Sequence, residues 1–228
     1  MPLWPWPLLL AAVPTVGIAF AWFAAMAEGY LPACNPFVEG CTTISRTGRQ
    51  GTAYYLFKIA LGPTAGLYLV WAAAAGHWAR IRLQAPRTSI ALLVLGYLAA
   101  VALAVYSAYL GSQGPNFAVY RRLGASTFFA TAFLSQLLLY AAWARHARRR
   151  SWEGDGAARR SFGCLVLLQL ALGLVSLPLT AWAGPEMKDY WENVIEWWFA
   201  AALAAAYLPV AWAWRHERVQ LRAGGRVR

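Results

Sequence analysis

Long apolar runs separated by short polar ones set the pattern of this chain. A helix needs about 20 mainly apolar residues to cross a hydrocarbon core. Six stretches qualify, near 3–27, 53–78, 90–110, 123–143, 162–183 and 194–214. The apolar residues come in blocks rather than alternating, which favours helices over half-buried strands. The first run lacks a Lys/Arg-rich leader and a clear Ala-x-Ala cleavage signal, so it is read as a retained span. The expected fold is an all-α integral membrane protein, one domain over 1–228 built as a bundle of six transmembrane helices.

The sizeable polar insertion on one side of the chain lies between the first two runs, at 28–52. Pro32, Pro36, Gly29, Gly40, Gly48 and Gly51 rule out a continuous helix there. Cys34 and Cys41 sit in this same loop, close enough to close a small ring in an oxidising compartment. The expectation is a disulfide-closed cap over the bundle. Cys164, inside the fifth run, is expected to be a small buried apolar residue.

Charge changes the picture next. Lys and Arg number 20 against 9 Asp and Glu, a net charge of +11. In a soluble domain that balance would point to nucleic acid. Here the cations cluster at the ends of apolar runs and no soluble portion is long enough for a nucleic-acid-binding domain, so that class is excluded. Arg80, Arg82 and Arg87 follow the second run. Arg145, Arg148, Arg149, Arg150, Arg159 and Arg160 lie between the fourth and fifth, and the tail at 215–228 carries five more Arg. By the positive-inside rule these sides are cytoplasmic, with both termini inside and the loops at 28–52, 111–122 and 184–193 outside. A bacterial inner membrane fits the Ala- and Arg-rich composition. Arg121 and Arg122 break the rule and call for a local partner. The Trp and His near the ends of the even-numbered runs, among them Trp71, Trp143 and Trp214, are read as interfacial. Pro14, Pro63, Pro178 and Pro209 fall within spans, and Gly62, Gly66, Gly96, Gly124 and Gly173 are expected to admit close helix approach.

Candidate chemistry sits at the outer side. His77, His146 and His216 all lie at cytoplasmic ends, which excludes a haem held between interior His and separates every His from Cys34 and Cys41. No metal or cofactor is expected. Ionisable groups at membrane depth mark functional sites by default. Here they are Lys58, Arg121, Arg122, Glu192 and Glu196, all in the outer half. Glu192 and Glu196 are four apart and share one helical face. Either a carboxylate pairs with Lys58, Arg121 or Arg122, as a packing device, or it serves as an acid or base. Tyr54, Tyr55, Tyr106, Tyr109, Tyr120, Tyr190, Trp191, Trp197 and Trp198 gather at the same level. They form an interfacial belt, or some of them line a headgroup pocket with Arg46, Arg49, Arg121 and Arg122, whose forks suit phosphate. Ser45 and Thr47 are hydroxyls with no His nearby to activate them.

The segment Thr43-Ile44-Ser45-Arg46-Thr47-Gly48, the run Arg121-Arg122-Leu123-Gly124-Ala125 followed by Phe128-Phe129, and Ile195-Glu196-Trp197 together resemble the Frag/DRAM/Sfk family of six-span membrane proteins. That family includes a factor that remodels the lipid of GPI anchors. The resemblance implies six spans and a role in lipid remodelling. Glu196 and the Ile44, Ser45, Thr47, Gly48 pattern carry over position by position. Arg121-Arg122 stands where relatives often carry a His and an acidic or polar residue, and an Arg holds phosphate but does not shuttle protons near neutral pH.

The reading is therefore an outward-facing lipid-headgroup site, with a phosphate-bearing membrane lipid as partner. Glu196 is the candidate catalytic residue. Arg46, Arg49, Lys58, Arg121, Arg122 and Glu192 are the candidate binding residues. The alternatives are a non-enzymatic membrane adaptor or sensor, and a small transporter, although polar groups do not trace a path through the bilayer as a transporter requires.

Overall fold

The computed structural model describes residues 2–112, 114–150, 156–217 and 219. Among these, the helices are α1 (Pro5–Ala27), α2 (Pro36–Glu39), α3 (Ile44–Thr47), α4 (Gly51–Ile81), α5 (Pro86–Tyr109), α6 (Pro115–Arg150), α7 (Gly156–Trp182), α8 (Pro185–Ala205) and α9 (Tyr207–His216). Six spans, namely α1, α4, α5, α6, α7 and the α8–α9 pair, are long and apolar enough to cross a membrane. The chain is a multi-pass membrane protein. Arg218, Arg222, Arg226 and Arg228 of the tail lie outside the described residues.

Local chemistry sets the helix ends. Pro opens α1, α5 and α8, where its missing N–H has no intrahelical partner to lose. α8 and α9 are one span broken at Ala206, because Pro209 cannot donate to the carbonyl four residues back. At the start of α4, the Thr52 backbone N–H donates to the Glu28 carboxylate at 3.1 Å, an acidic group at a helix N-terminus.

The Leu3 N–H donates to the Val219 carbonyl at 3.1 Å, bringing these two residues to one end of the bundle. We call this the terminal end. The opposite end, which carries α2 and α3, is the cap end.

Small residues let the central helices approach. A Cβ on Gly17 of α1 would stand 2.1 Å from the Ala60 Cβ of α4, and one on Gly96 of α5 would stand 2.3 Å from the Ala72 Cβ. Gly124 likewise abuts the α5 backbone. Gly62, Gly66 and Gly173 face open space instead, so the expectation of close approach holds for two of its five glycines.

Two further expectations are corrected. Trp71, Trp78, Trp143 and Trp214 are interior residues, no more than 1% exposed. Trp71 and Trp78 are two helical turns apart on one face of α4, and that face packs inward. Trp71 stacks on Trp214 at 5.4 Å, and Trp78 meets Trp143 edge-on at 5.1 Å. These rings form a core in the terminal half. Cys164 is exposed, because α7 turns Phe162, Gly163, Val166 and Gln169 inward and leaves Cys164 off that face.

Polar groups in the interior are bonded across helices. Gln169 donates to Gln136 at 2.9 Å and Gln136 to the Leu203 carbonyl at 3.0 Å, linking α7, α6 and α8. The Tyr207 hydroxyl donates to that of Tyr68 at 3.0 Å.

Candidate functional site

The loop between α1 and α4 forms an ordered cap. Cys34 and Cys41 are joined by a disulfide. Asn35 caps α2 by accepting from the Phe37 N–H, while Glu39 accepts from the Asn35 N–H at 2.7 Å, a reciprocal arrangement that closes the turn. Thr43 caps α3 in the same way, accepting from the Arg46 N–H at 3.0 Å. The left-handed backbone at Gly40 (φ 57°) lets the chain pass against Tyr190, whose carbonyl oxygen would lie 2.6 Å from any Cβ placed there.

One helix holds this cap down. From α8, Tyr190 donates to the Val38 carbonyl at 2.7 Å, Asn193 to Gly40 at 2.6 Å, Trp197 to Thr42 at 2.9 Å and Trp198 to Phe37 at 3.0 Å. Buried carbonyls without partners are costly, and these side chains supply partners to carbonyls that the irregular loop leaves unpaired. Three of the aromatic residues that the sequence reading gathers at the outer boundary therefore serve as struts for the cap.

Beneath the cap lies a cavity of about 250 Å³, bounded by α1, α4, α5, α6 and the α8–α9 span. Its lining follows α1 from Trp22 to Leu10 and the last span from Glu196 to Tyr207. At 1.5 Å per residue that is a length of about 18 Å. Among the described residues Glu196 is the one charged residue in the lining, and it sits at the cap end. The remainder is overwhelmingly apolar, relieved by Thr15, Thr64 and the tyrosines.

Around Glu196 the cap supplies polar groups. Its carboxyl group faces the Ile44 backbone N–H and lies in the field of Arg49. The Tyr106 hydroxyl, at the same end of the lining, interacts with the Ser45 side chain. Ser45 also pairs with the Thr43 hydroxyl at 3.1 Å and accepts from Arg49 at 3.1 Å. Partial burial of the Arg49 side chain, and then the Arg121 guanidinium, lower its proton affinity below the ordinary arginine value. Two cations held this close favour an anionic neighbour. Trp22, which also lines the cavity, has a buried indole N–H without a partner among the described residues.

The structure gives the other candidates partners of their own, although the Arg121 charge still reaches Arg49. Lys58 donates to the Tyr54 hydroxyl at 2.5 Å, lies over the same ring, and reaches the Ala108 carbonyl at 3.5 Å. Arg121 donates to the Ser112 carbonyl at 2.5 Å and the Tyr109 carbonyl at 3.4 Å. These carbonyls close the α5–α6 turn, so they are the local partners that the exception to the charge rule calls for. Arg122 and Arg46 are exposed. Glu192 stands 3.8 Å from Lys188 on its own helix, both half exposed. Among the described residues Glu196 forms no ion pair. Thr47 is fully buried and donates to the Ile44 carbonyl at 2.6 Å. Among the described residues no group of three or more His, Cys, Asp or Glu is placed to hold a metal.

Sequence reasoning named Tyr106 only as one of nine outer aromatics, some of which were to line a pocket, and it did not name Trp22, Thr15 or Thr64. A signal for the last two is present in the chain. Pro14-Thr15-Val16-Gly17 and Pro63-Thr64-Ala65-Gly66 repeat one Pro-Thr-x-Gly pattern on the adjacent helices α1 and α4. Each Thr bonds the carbonyl four residues back, at 2.6 and 2.7 Å, and both line the cavity.

No protein-family model, curated protein or solved structure matches this chain. The fold and the site define its class as a six-span membrane protein with a disulfide-closed cap over an apolar cavity.

Proposed function

We propose that the protein binds a membrane amphiphile, with the apolar tail along the cavity and the polar head at Glu196 under the cap. The observation that carries this reading is the polarity of the cavity. It is a long apolar slot with a single carboxylate, and that group lies at the end where Ser45, Tyr106 and Arg49 converge. Small-molecule sites combine an apolar lining with a few placed polar groups in this way.

The distribution of Arg supports an orientation with the terminal end in the cytoplasm and the cap outside, where a bacterial inner membrane borders an oxidising space. The loops at 28–52, 111–122 and 184–193 then face that space. The head is phosphate-bearing on this reading. Arg49 meets its oxygens, and Arg46 and Arg122 stand exposed at the same end. The activity is lipid remodelling, or recognition of a lipid in support of it, in keeping with the resemblance to the Frag/DRAM/Sfk family. In the enzymatic form Glu196 acts as general acid or base. Ser45 is the cap hydroxyl that meets both Arg49 and Tyr106, and Arg49 stabilises anionic oxygen.

The test is mass-spectrometric identification of lipids that co-purify with the wild type, with Glu196→Gln and with Ala204→Phe, which places bulk in the apolar slot. A defined phosphate-bearing lipid retained by the wild type, altered in amount or structure by the first variant and lost in the second, supports the proposal. Bulk lipid in membrane proportions from all three folded proteins refutes it and leaves the adaptor reading.

A further inference from the structure

We propose that the terminal end carries a second, separate site, one that takes a phosphate-bearing group. A cavity of about 140 Å³ lies between the turn joining α4 to α5 and the last turns of α6. Leu83, Gln84 and Ala85 form one wall, and Arg145, His146 and Arg149 form the other. Positions 145 and 149 are one turn apart, and 146 and 149 are three apart, so all three share one side of α6.

Among the described residues the charge lining this concavity is of one sign: no carboxylate lines it, and neither Arg145 nor Arg149 pairs with one. Like charges at this spacing repel each other, and an anion between them removes the repulsion. Arg82, the guanidinium of the turn itself, is directed elsewhere, 3.3 Å from Glu217.

The opposing wall is fixed in place. Gln84 has φ 52° and, among the described residues, is the one non-glycine with positive φ. Such a conformation is costly and persists where its surroundings hold it. Here the Ala85 N–H bonds the Ala79 carbonyl at 2.9 Å and the Leu83 N–H bonds Trp78 at 3.3 Å. The turn is pre-shaped, and Arg145 and Arg149 line the wall opposite it.

Guanidinium forks match phosphate oxygens bidentately. The site lies just past the buried Trp143, at the end of a span, where phospholipid headgroups meet cationic helix ends. The phosphate therefore belongs to an anionic lipid or to a free phosphate, and the two sources are separable by experiment.

The full chain is purified and offered phosphatidylcholine vesicles with and without phosphatidic acid, and retained lipid is read by native mass spectrometry. In parallel, thermal midpoints are taken in inorganic phosphate and in chloride at equal ionic strength. Wild type and Arg148→Gln, which alters a residue outside the lining, are expected to retain phosphatidic acid about tenfold over phosphatidylcholine. The pair Arg145→Gln with Arg149→Gln loses that preference. A midpoint raised by phosphate in wild type but not in the paired variant, without lipid preference, assigns the same site to free phosphate.

The proposal is overturned if the folded paired variant behaves as wild type with both probes, or if Arg148→Gln loses as much as the pair. Where the pair does not fold, Ala85→Trp fills the cavity without touching its charge. Unchanged binding of both probes by that variant overturns the proposal equally.

Discussion

Trp197 and Thr42 are distant in the chain and bonded in the fold. The indole N–H donates to the Thr42 carbonyl at 2.9 Å, and both residues are buried. The neighbouring residue in the same helix, Glu196, lines the cavity, so the strut that holds the cap and the carboxylate beneath it are fixed by one helical turn. Trp197→Phe keeps most of the ring and removes the donor, leaving a buried carbonyl unpaired at a cost of about 1–3 kcal/mol. Hydrogen exchange should quicken across 36–47 and the melting temperature should fall. Trp198→Phe, at an exposed position, should change both less.

The disulfide should act on the same element. Cys34 and Cys41 close a short ring, with a sequence separation of 7. Replacing both with Ser should cost about 2–3 kcal/mol in the chain-entropy account. The loss should appear as faster exchange in the cap, while the tryptophan core of the terminal half keeps its protection. Thiol labelling of the unreduced protein unfolded in denaturing detergent should modify Cys164, the free cysteine, and should spare the bonded pair.

How much of this was legible in the chain follows from the range of each interaction. The six spans and the disulfide were legible, because apolar run length and the placement of two Cys in one loop are local features. The partners of Lys58 and Arg121 were only partly so. Lys58 meets Tyr54 one turn earlier in its own helix, but it also meets Ala108, which is distant in the chain. The bonds from α8 to the cap join residues more than 150 positions apart, and nothing in spacing records them. Glu196, which lines the cavity, stands out in the sequence because a carboxylate inside an apolar run is costly wherever it lies. Trp22 looks like an ordinary span aromatic until the cavity beside its helix is seen, and Tyr106 was one of nine outer aromatics that spacing alone could not sort between belt and pocket. The tryptophans of the terminal half were misplaced for a related reason. A Trp near a span end suits an interface and a helix–helix core equally well, and packing alone decides.

That packing gives a third prediction. Trp78→Ala empties a fully buried position in contact with Trp143 and Trp214 and removes a donor to Glu217 at 3.3 Å. A loss of about 3–5 kcal/mol is expected from large-to-small replacement in a packed core. Trp212→Ala, at a position 44% exposed, should leave the melting temperature nearly unchanged. Denaturation in mild detergent compares the two.

Helix approach gives a fourth. Gly17→Ala sets a Cβ 2.1 Å from that of Ala60, so α1 and α4 must separate. The expected cost is about 1–3 kcal/mol, typical of overpacking. Gly62→Ala, with nothing within 4 Å of the added carbon, should be neutral or slightly stabilising as helix propensity improves.

The most direct test of an amphiphile in the capped cavity is cross-linking with a phospholipid that carries a photoreactive diazirine on its acyl chain. Adducts should map by peptide mass spectrometry to residues along the slot such as Leu61, Phe128 and Ala204, and should diminish in Ala204→Phe. Adducts confined to outward residues such as Phe20, Ile59 and Leu177, which are at least 61% exposed, would show the chain touching lipid only as any bundle surface does, and would contradict the account.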